Sequence, residues 1–466
     1  MGQTLHVAGM PCHLAALSVV VFWTAGLGGV EQEDAAPGSR VLSWAVSHPE
    51  LNQIYGAPFT KVGEAHRRRT FHPWPCRTSE SGLPVIQPTV VIDSRGELFV
   101  DCYSARGWEI GMAGHSVDGG KTWAYLGTPF EMRFKVPPGK TRLGLACNGM
   151  GVTRNGTLLA HYGVQYNDGR TPAGGYEDTS YHLDEYVVRS SNRGKTWEEA
   201  VKINAGAREL TGSQKCRFAQ LPDGRIVLVM GSWNQSQLNG QQIPPEERFV
   251  STYFYTSSDD GRTWQRGEKP VCVNGVEPDL LVLPSGRLLL AVRYQRHKLP
   301  GDPKDLVSPH RMRTDKPPFL HSKEVGGGLV ARFTAILYSD DSGTTWTDPR
   351  LVTGFDEQTG CLLRMRDGMI VLPFGHKTDG GGQRFVVSCD QGETWSRTVF
   401  QLHAGGQYAS SVVLADDTIV TVIHDSARKS VQALRWRAPP RSLVEQGGFW
   451  SPRVAEPLGR PPQENK

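Results

Sequence analysis

Short runs rich in Val, Leu, Ile and aromatic residues alternate with small polar turns along most of the chain, and the alternation is regular. One pattern, an apolar run, a tight turn and a β-rich outgoing run, occurs at Ile92–Val100 (IDSRGELFV), Val152–Ala160 (VTRNGTLLA) and Leu221–Val229 (LPDGRIVLV). It returns at Leu283–Ala291 (LPSGRLLLA), Met365–Pro373 (MRDGMIVLP) and Leu414–Val422 (LADDTIVTV). Runs of this length bounded by Gly, Asp, Asn, Pro and Ser predict strand–turn–strand hairpins. A second pattern, S-x-D-x-G-x-T-W, is interleaved with the first. Its copies are Ser116–Trp123, Ser190–Trp197, Ser257–Trp264, Ser339–Trp346 and Ser388–Trp395, with Asn192 in the Asp slot of the second. Each of the first five hairpins is followed by one such turn, while the sixth runs on to Arg437 without one.

Each position of the eight-residue turn has a physical role. The Asp or Asn side chain bonds backbone N–H groups of its own turn. The Gly takes a positive φ that other residues resist, and the Trp offers a large apolar surface to pin the hairpin to its neighbour. Periodic units of this kind predict an all-β protein, a six-bladed β-propeller of four-stranded blades around a central axis. An N-terminal strand would complete the last blade, leaving no open sheet edge. A β-sandwich with accessory domains does not account for the interleaving. The expected organisation is residues 1–30 as a targeting segment, 31–59 as a lead-in, 60–437 as the propeller and 438–466 as a Pro- and Gly-rich tail.

Charge narrows the function classes. With 51 basic and 47 acidic residues the net charge is only +4, and the one basic run, Arg67-Arg68-Arg69, suits a solvated loop, so no nucleic-acid partner is expected. Leu14 to Val30 is uncharged and mostly apolar, and Glu31-Gln32-Glu33-Asp34 follows. This stretch is shorter than the ~20 residues of a membrane span and reads as a signal peptide, with an uncleaved anchor as the alternative. A secreted or periplasmic location follows, with no membrane insertion after cleavage. Of the 8 cysteines, Cys12 precedes the apolar run; none has metal-binding spacing, so they read mainly as small buried residues, with one or two disulfides as an option. No cofactor or metal is expected. Glu177-Asp178 and Asp184-Glu185 read as a solvated acidic loop, and Asn155-Gly156-Thr157 and Asn234-Gln235-Ser236 are glycosylation sequons in a eukaryotic host.

The five eight-residue turns resemble the Asp-boxes of the sialidase (neuraminidase) superfamily, where such turns are structural and remote from the active site. The resemblance implies a six-bladed propeller acting on a glycan or glycoconjugate substrate. It also implies a site at one end of the channel, with three arginines on the substrate carboxylate, a Tyr nucleophile with a Glu beside it, and an Asp acid/base. The set is chemically coherent. Arg forks hold a carboxylate in bidentate fashion, and a neutral Tyr attacks beside that carboxylate without the repulsion a second carboxylate would meet.

Residue by residue, Glu277-Pro278-Asp279-Leu280 through Arg293 resembles the stretch bearing the Glu and the second arginine (293 − 277 = 16). Gly405-Gly406-Gln407-Tyr408-Ala409-Ser410-Ser411 resembles the segment with the nucleophile, making that residue Tyr408. Arg384, four residues before Ser388 (388 − 384 = 4), resembles the third arginine, with His376-Lys377 adding positive charge nearby. The first blade departs from the family. Val85-Ile86-Gln87-Pro88 keeps the Pro of an R-I-P tripeptide but has Ile86 in the Arg position, and the next loop, Ser104 to Glu109, lacks the Asp. Glu109 is the acid/base candidate and Arg106 the stand-in for the missing Arg. Losing one charge-assisted contact to a carboxylate costs about 1.5–3 kcal/mol, roughly tenfold to a hundredfold in binding. Three functions are therefore carried forward: an exported retaining exo-glycosidase of sialidase type, a non-catalytic glycan-binding propeller, and a propeller glycosidase or lyase acting on uronic-acid polysaccharide.

Overall fold

The computed structural model describes residues 40–43, 53–55, 85–104, 111–127, 138, 141–167, 181–203, 209–234, 237–238, 241–242, 250–297, 330–354, 357–376, 382–403, 407–425 and 430–455. They are nearly all strand, with one helix, Arg441–Gly447, among them.

All six sequence-predicted hairpins form, and each opens an antiparallel meander. The first meander is Val85–Ile92, Leu98–Ser104, Gly111–Ser116 and Ala124–Gly127, paired in that order. The second is Thr141–Val152, Leu158–Asn167, Tyr181–Ser190 and Val201–Ile203. The third is built on Glu209–Gln220, Ile226–Asn234 and Val250–Ser257, and the fourth on Gly275–Val282, Leu288–His297 and Val330–Ser339. The fifth, with Ile370–His376, Gly382–Ser388 and Thr398–His403, joins the fourth in one sheet through the parallel pair Phe333 and Glu357. The sixth is Gln407–Val413, Ile419–Asp425 and Ser430–Trp436, with the N-terminal strand Gln53–Tyr55 paired onto Ser430–Trp436.

Apolar clusters lie between consecutive meanders, because the second strand of each opens on consecutive apolar residues and so offers an apolar side chain to both faces. Val91, Phe99 and Ala113 of the first pack with Met150, Leu158, Ala160 and Val188 of the second. Val90, Leu98, Val100 and Trp123 of the first also pack with Val412, Val420, Val422, Val431 and Ala433 of the sixth. The first and last meanders, over 300 residues apart in sequence, are further joined by the Val90 amide, which donates to Ser410 Oγ at 3.0 Å.

The eight-residue turns bond as their sequence predicts. In the third copy, Asp259 Oδ1 accepts from the Arg262 and Thr263 amides, Oδ2 accepts from the Thr263 hydroxyl at 2.6 Å, and Ser257 Oγ accepts from the Gly261 amide. Trp264 Nε1 donates to the Gly261 carbonyl at 3.1 Å, as Trp123 and Trp346 do in their own turns. Partial burial of Asp259 favours its protonated form, but the bonds from Thr263, Ser257 and Arg262 outweigh it and hold the carboxyl down at about 2. The Thr345 hydroxyl and amide do the same to Asp341, again at about 2. The ordinary value is 3.8. A folded-state pKa below the unfolded one contributes stability that is present above the unfolded value and lost as pH falls through the folded one. Acid unfolding of the wild type should therefore steepen between about pH 4 and pH 2. Asp259→Asn and Asp341→Asn together should flatten that limb, read by denaturant titration at each pH.

Two expectations change. Of the segment after Pro439, expected as a tail, residues 440–455 are docked: Val444 of the helix is fully buried, Phe449–Trp450 pairs with Trp395–Ser396, and Arg453–Val454 pairs with Arg350–Leu351. Val444, Leu443 and Phe449 pack on the cluster shared by the fifth and sixth meanders, Trp450 on that of the fourth and fifth, and Ala455 on that of the third and fourth. Asp184-Glu185 is strand rather than solvated loop, and Glu185 is fully buried with Oε2 2.7 Å from His161 Nε2. Among the cysteines whose side chains are described, Cys216, Cys272 and Cys361 are buried, as the sequence predicts, Cys389 is half-buried, and all four are free thiols. Burial pushes the Cys272 thiol up to about 12 and the Cys361 thiol to about 11, which leaves both inert at neutral pH.

Candidate active site

The first strand of five of the six meanders enters its hairpin through an irregularity. Register shifts fall between Ile86 and Thr89, Cys147 and Gly149, Thr211 and Cys216, Val276 and Asp279, and Gln407 and Ser410. Bulges of this kind re-aim a side chain and are frequent beside active sites. The hairpin turns give a common reference, since Leu283, Met365 and Leu414 each accept from the amide three residues on. Six residues before them stand Glu277, Thr359 and Tyr408 (283 − 277 = 365 − 359 = 414 − 408 = 6). All three hold left-handed backbone, with φ of 50°, 64° and 53°. An L-residue pays roughly 1–2 kcal/mol for that conformation, so three of them at one repeated position indicate a constraint imposed by the surrounding structure.

Glu277 is 1% exposed and Arg293 4%. Arg293 lies opposite Val276 on the neighbouring strand, and its Nη1 donates to Glu277 Oε1. The Thr359 hydroxyl donates to Glu277 Oε2. Both carboxylate oxygens are thus held, one by a charge-assisted bond, and the carboxylate has one orientation. A buried ion pair persists only with such added hydrogen bonds, since desolvation otherwise outweighs the Coulomb gain.

Arg384, on Gly382–Ser388, does not join Glu277. Its Nε donates to Gln401 Oε1 at 2.9 Å and its Nη1 to Glu357 Oε1 at 2.7 Å. The same Glu357 oxygen lies 3.4 Å from His376 Nδ1, and Oε2 accepts from the Gly354 amide at 2.9 Å. Glu357 is two residues before Thr359 on the same stretch (359 − 357 = 2), so the two arginine–carboxylate pairs are neighbours through the backbone. Tyr408 is half-buried and stands at the equivalent bulge one meander beyond Thr359. Arg106, Glu109 and Lys377 lie outside the described residues.

Sequence reasoning missed three residues of this region: Glu357, Thr359 and Lys215. Thr359 and Lys215 were within reach, because counting six back from every hairpin turn marks them along with Glu277 and Tyr408. Glu357 carried no such signal, since its partners His376 and Arg384 come from two later strands.

Residues 141–301 match a family model described as a BNR repeat-like domain. This stretch covers the second and third meanders and the Glu277–Arg293 hairpin. Among curated proteins, a sialidase of Paraclostridium sordellii is 23% identical over 264 residues, 52% of this chain and 54% of its own length. A sialidase of Clostridium perfringens is 24% identical over 244 residues, 52% of this chain and 57% of its own. The chain spans little more than half the length of these relatives. Among solved structures, a protein of unknown function from Dyadobacter fermentans superposes with a TM-score of 0.55 at 17% identity, covering 76% of this chain and 96% of that one. A Hadza microbial sialidase gives 0.50 at 17% identity, with 78% and 66% covered. A Penicillium chrysogenum α-L-arabinanase gives 0.50 at 13%, with 83% and 97% covered. At these identities the likeness is one of fold. No described helix is long and apolar enough to cross a membrane.

Proposed function

We propose that the chain is an exported exo-glycosidase of sialidase type, a closed six-bladed β-propeller that removes terminal sialic acid or a related acidic sugar with retention. The observation that carries the reading is the shared left-handed bulge position of Glu277 and Tyr408, with Glu277 locked by Arg293 and Thr359. In this reading Tyr408 Oη attacks the anomeric carbon while Glu277 accepts the phenolic proton. The leaving-group oxygen takes a proton from Glu109. Water then attacks the tyrosyl–sugar bond, Glu109 accepts its proton, and the phenol regains the one held by Glu277. Arg293, Arg384 and Arg106 face the substrate carboxylate. The apolar cluster joining the first and sixth meanders supports a closed ring, and the relatives named sialidases support the reaction class.

The test is release of a fluorescent leaving group from an α-sialoside by the purified protein, beside Tyr408→Phe. The reading expects turnover that falls at least about a thousandfold in the variant, because the nucleophile is removed while the fold is kept. A folded wild type without turnover sinks the sialoside assignment. One observation favours a second reading: Arg293 and Arg384 already have carboxylate partners in Glu277 and Glu357, and Ile86 stands where the family has its first Arg. That balance of charge suits a neutral glycoside, for which the same assay with neutral aryl glycosides is the test.

A further inference from the structure

One buried cation reaches all three of the strands that carry Glu277, Thr359 and Tyr408. Lys215, on the first strand of the third meander, is 4% exposed. Its Nζ donates to the carbonyl oxygen of Gly360 at 2.8 Å, lies 3.5 Å from the carbonyl oxygen of Ala409, and is 3.5 Å from Asp279 Oδ2. These contacts span 145 and 194 residues of sequence to the two carbonyls. Gly360 follows Thr359, Ala409 follows Tyr408, and Asp279 comes two residues after Glu277 (279 − 277 = 2). Asp279 is fully buried, and Arg217 Nε approaches its other oxygen at 3.9 Å.

The reason these atoms need a cation lies in the bulges. Ala409 sits inside the register shift between Gln407 and Ser410, where the ladder to Ile419–Asp425 is interrupted. A left-handed residue within a strand swings the adjoining peptide out of the ladder, and a buried carbonyl so displaced needs another donor. A lysine has three donors on a flexible stem and can serve separate strands at once. An apolar side chain would fill the space without satisfying either carbonyl or Asp279.

We propose that Lys215 is the positioning residue of the site: a clamp that sets the backbone of Tyr408 and Thr359 and, through Asp279, the strand of Glu277. Its catalytic consequence rests on the glycosidase reading; the clamp itself does not. The experiment compares wild type with Lys215→Gln and Lys215→Met by amide hydrogen exchange, and by steady-state kinetics on whichever aryl glycoside the wild type cleaves. In the Gln variant, exchange should accelerate about tenfold or more in residues 357–365 and 407–414 together, with residues 90–100 and 226–234 unchanged. On the active substrate, kcat should fall about a hundredfold with KM held within about threefold, as expected for misplacement of reacting groups. Lys215→Met, which removes every donor, should show the same pattern enlarged. Exchange that stays unchanged in the two segments, or rises equally everywhere, overturns the clamp. So does a Gln variant that fails to fold, which would make Lys215 a general stability residue. A wild type that cleaves no glycoside but shows the paired exchange response sinks the glycosidase reading and leaves the clamp standing. Turnover with an unaltered kcat in the Gln variant removes its positioning role.

Discussion

Arg293→Met is expected to destabilise the protein by about 3–5 kcal/mol, the cost of leaving a buried carboxylate without its cation. Glu277 is 1% exposed, and its Oε1 accepts from Arg293 while Oε2 accepts from the Thr359 hydroxyl. The converse change, Glu277→Gln, strips a guanidinium that is itself 4% exposed of its carboxylate and should cost a similar amount. The double variant Glu277→Gln/Arg293→Met should recover much of the loss, because neither buried charge then remains. A double-mutant cycle on denaturant midpoints reads the coupling, expected at about 2–3 kcal/mol. Additive losses, with no recovery in the double variant, would mean that the pair is not coupled as the geometry requires. Arg293→Lys should rescue little, since a point charge on a shorter reach cannot reproduce the guanidinium's geometry.

That pair also marks what could be read from the chain directly. Glu277 and Arg293 lie on two strands of one hairpin, so their separation is set by local pairing, and the turn Pro284-Ser285-Gly286-Arg287 announces it. The six hairpins and five eight-residue turns were legible for the same reason: each is closed by bonds within a few residues, as Asp259 with Thr263. The packing role given to the Trp of each turn also holds, with Trp123, Trp197 and Trp395 buried in clusters that join two meanders. Groups whose partners are far along the chain were not legible. The partner of Arg384 is one such group: Arg384 Nη1 meets Glu357, 27 residues away on another strand. Lys215 can be marked by counting back from its hairpin turn, but its partners Gly360 and Ala409 emerge only when the third, fifth and sixth meanders are brought together. Glu185 reads as a solvated acid because its partner His161 is on the neighbouring strand.

The largest apolar effect should come from Trp395, the last residue of the fifth eight-residue turn. It is fully buried, and it packs between Leu289, Ala291, Ile336 and Tyr338 of the fourth meander and Ile370, Leu372 and Phe374 of the fifth. On its outer side Trp450 rests on the same cluster, and the strand pair Trp395 with Trp450 fastens the C-terminal segment there. Trp395→Ala removes an indole from a site closed on both sides by strands, so the cavity cannot collapse fully. The expected cost is about 3–5 kcal/mol. Trp395→Phe keeps most of the contact area and should cost roughly half of that or less. Stability alone would not separate a core defect from a docking defect, so limited proteolysis is the second readout. If Trp395 anchors the C-terminal segment, trypsin should cut after Arg441 or Arg453 in the Ala variant well before the meanders are attacked. A variant that loses stability while 441–455 stays protected would show that the helix and its buried Val444 hold the segment without the tryptophan, and that the indole serves only the joint between the fourth and fifth meanders.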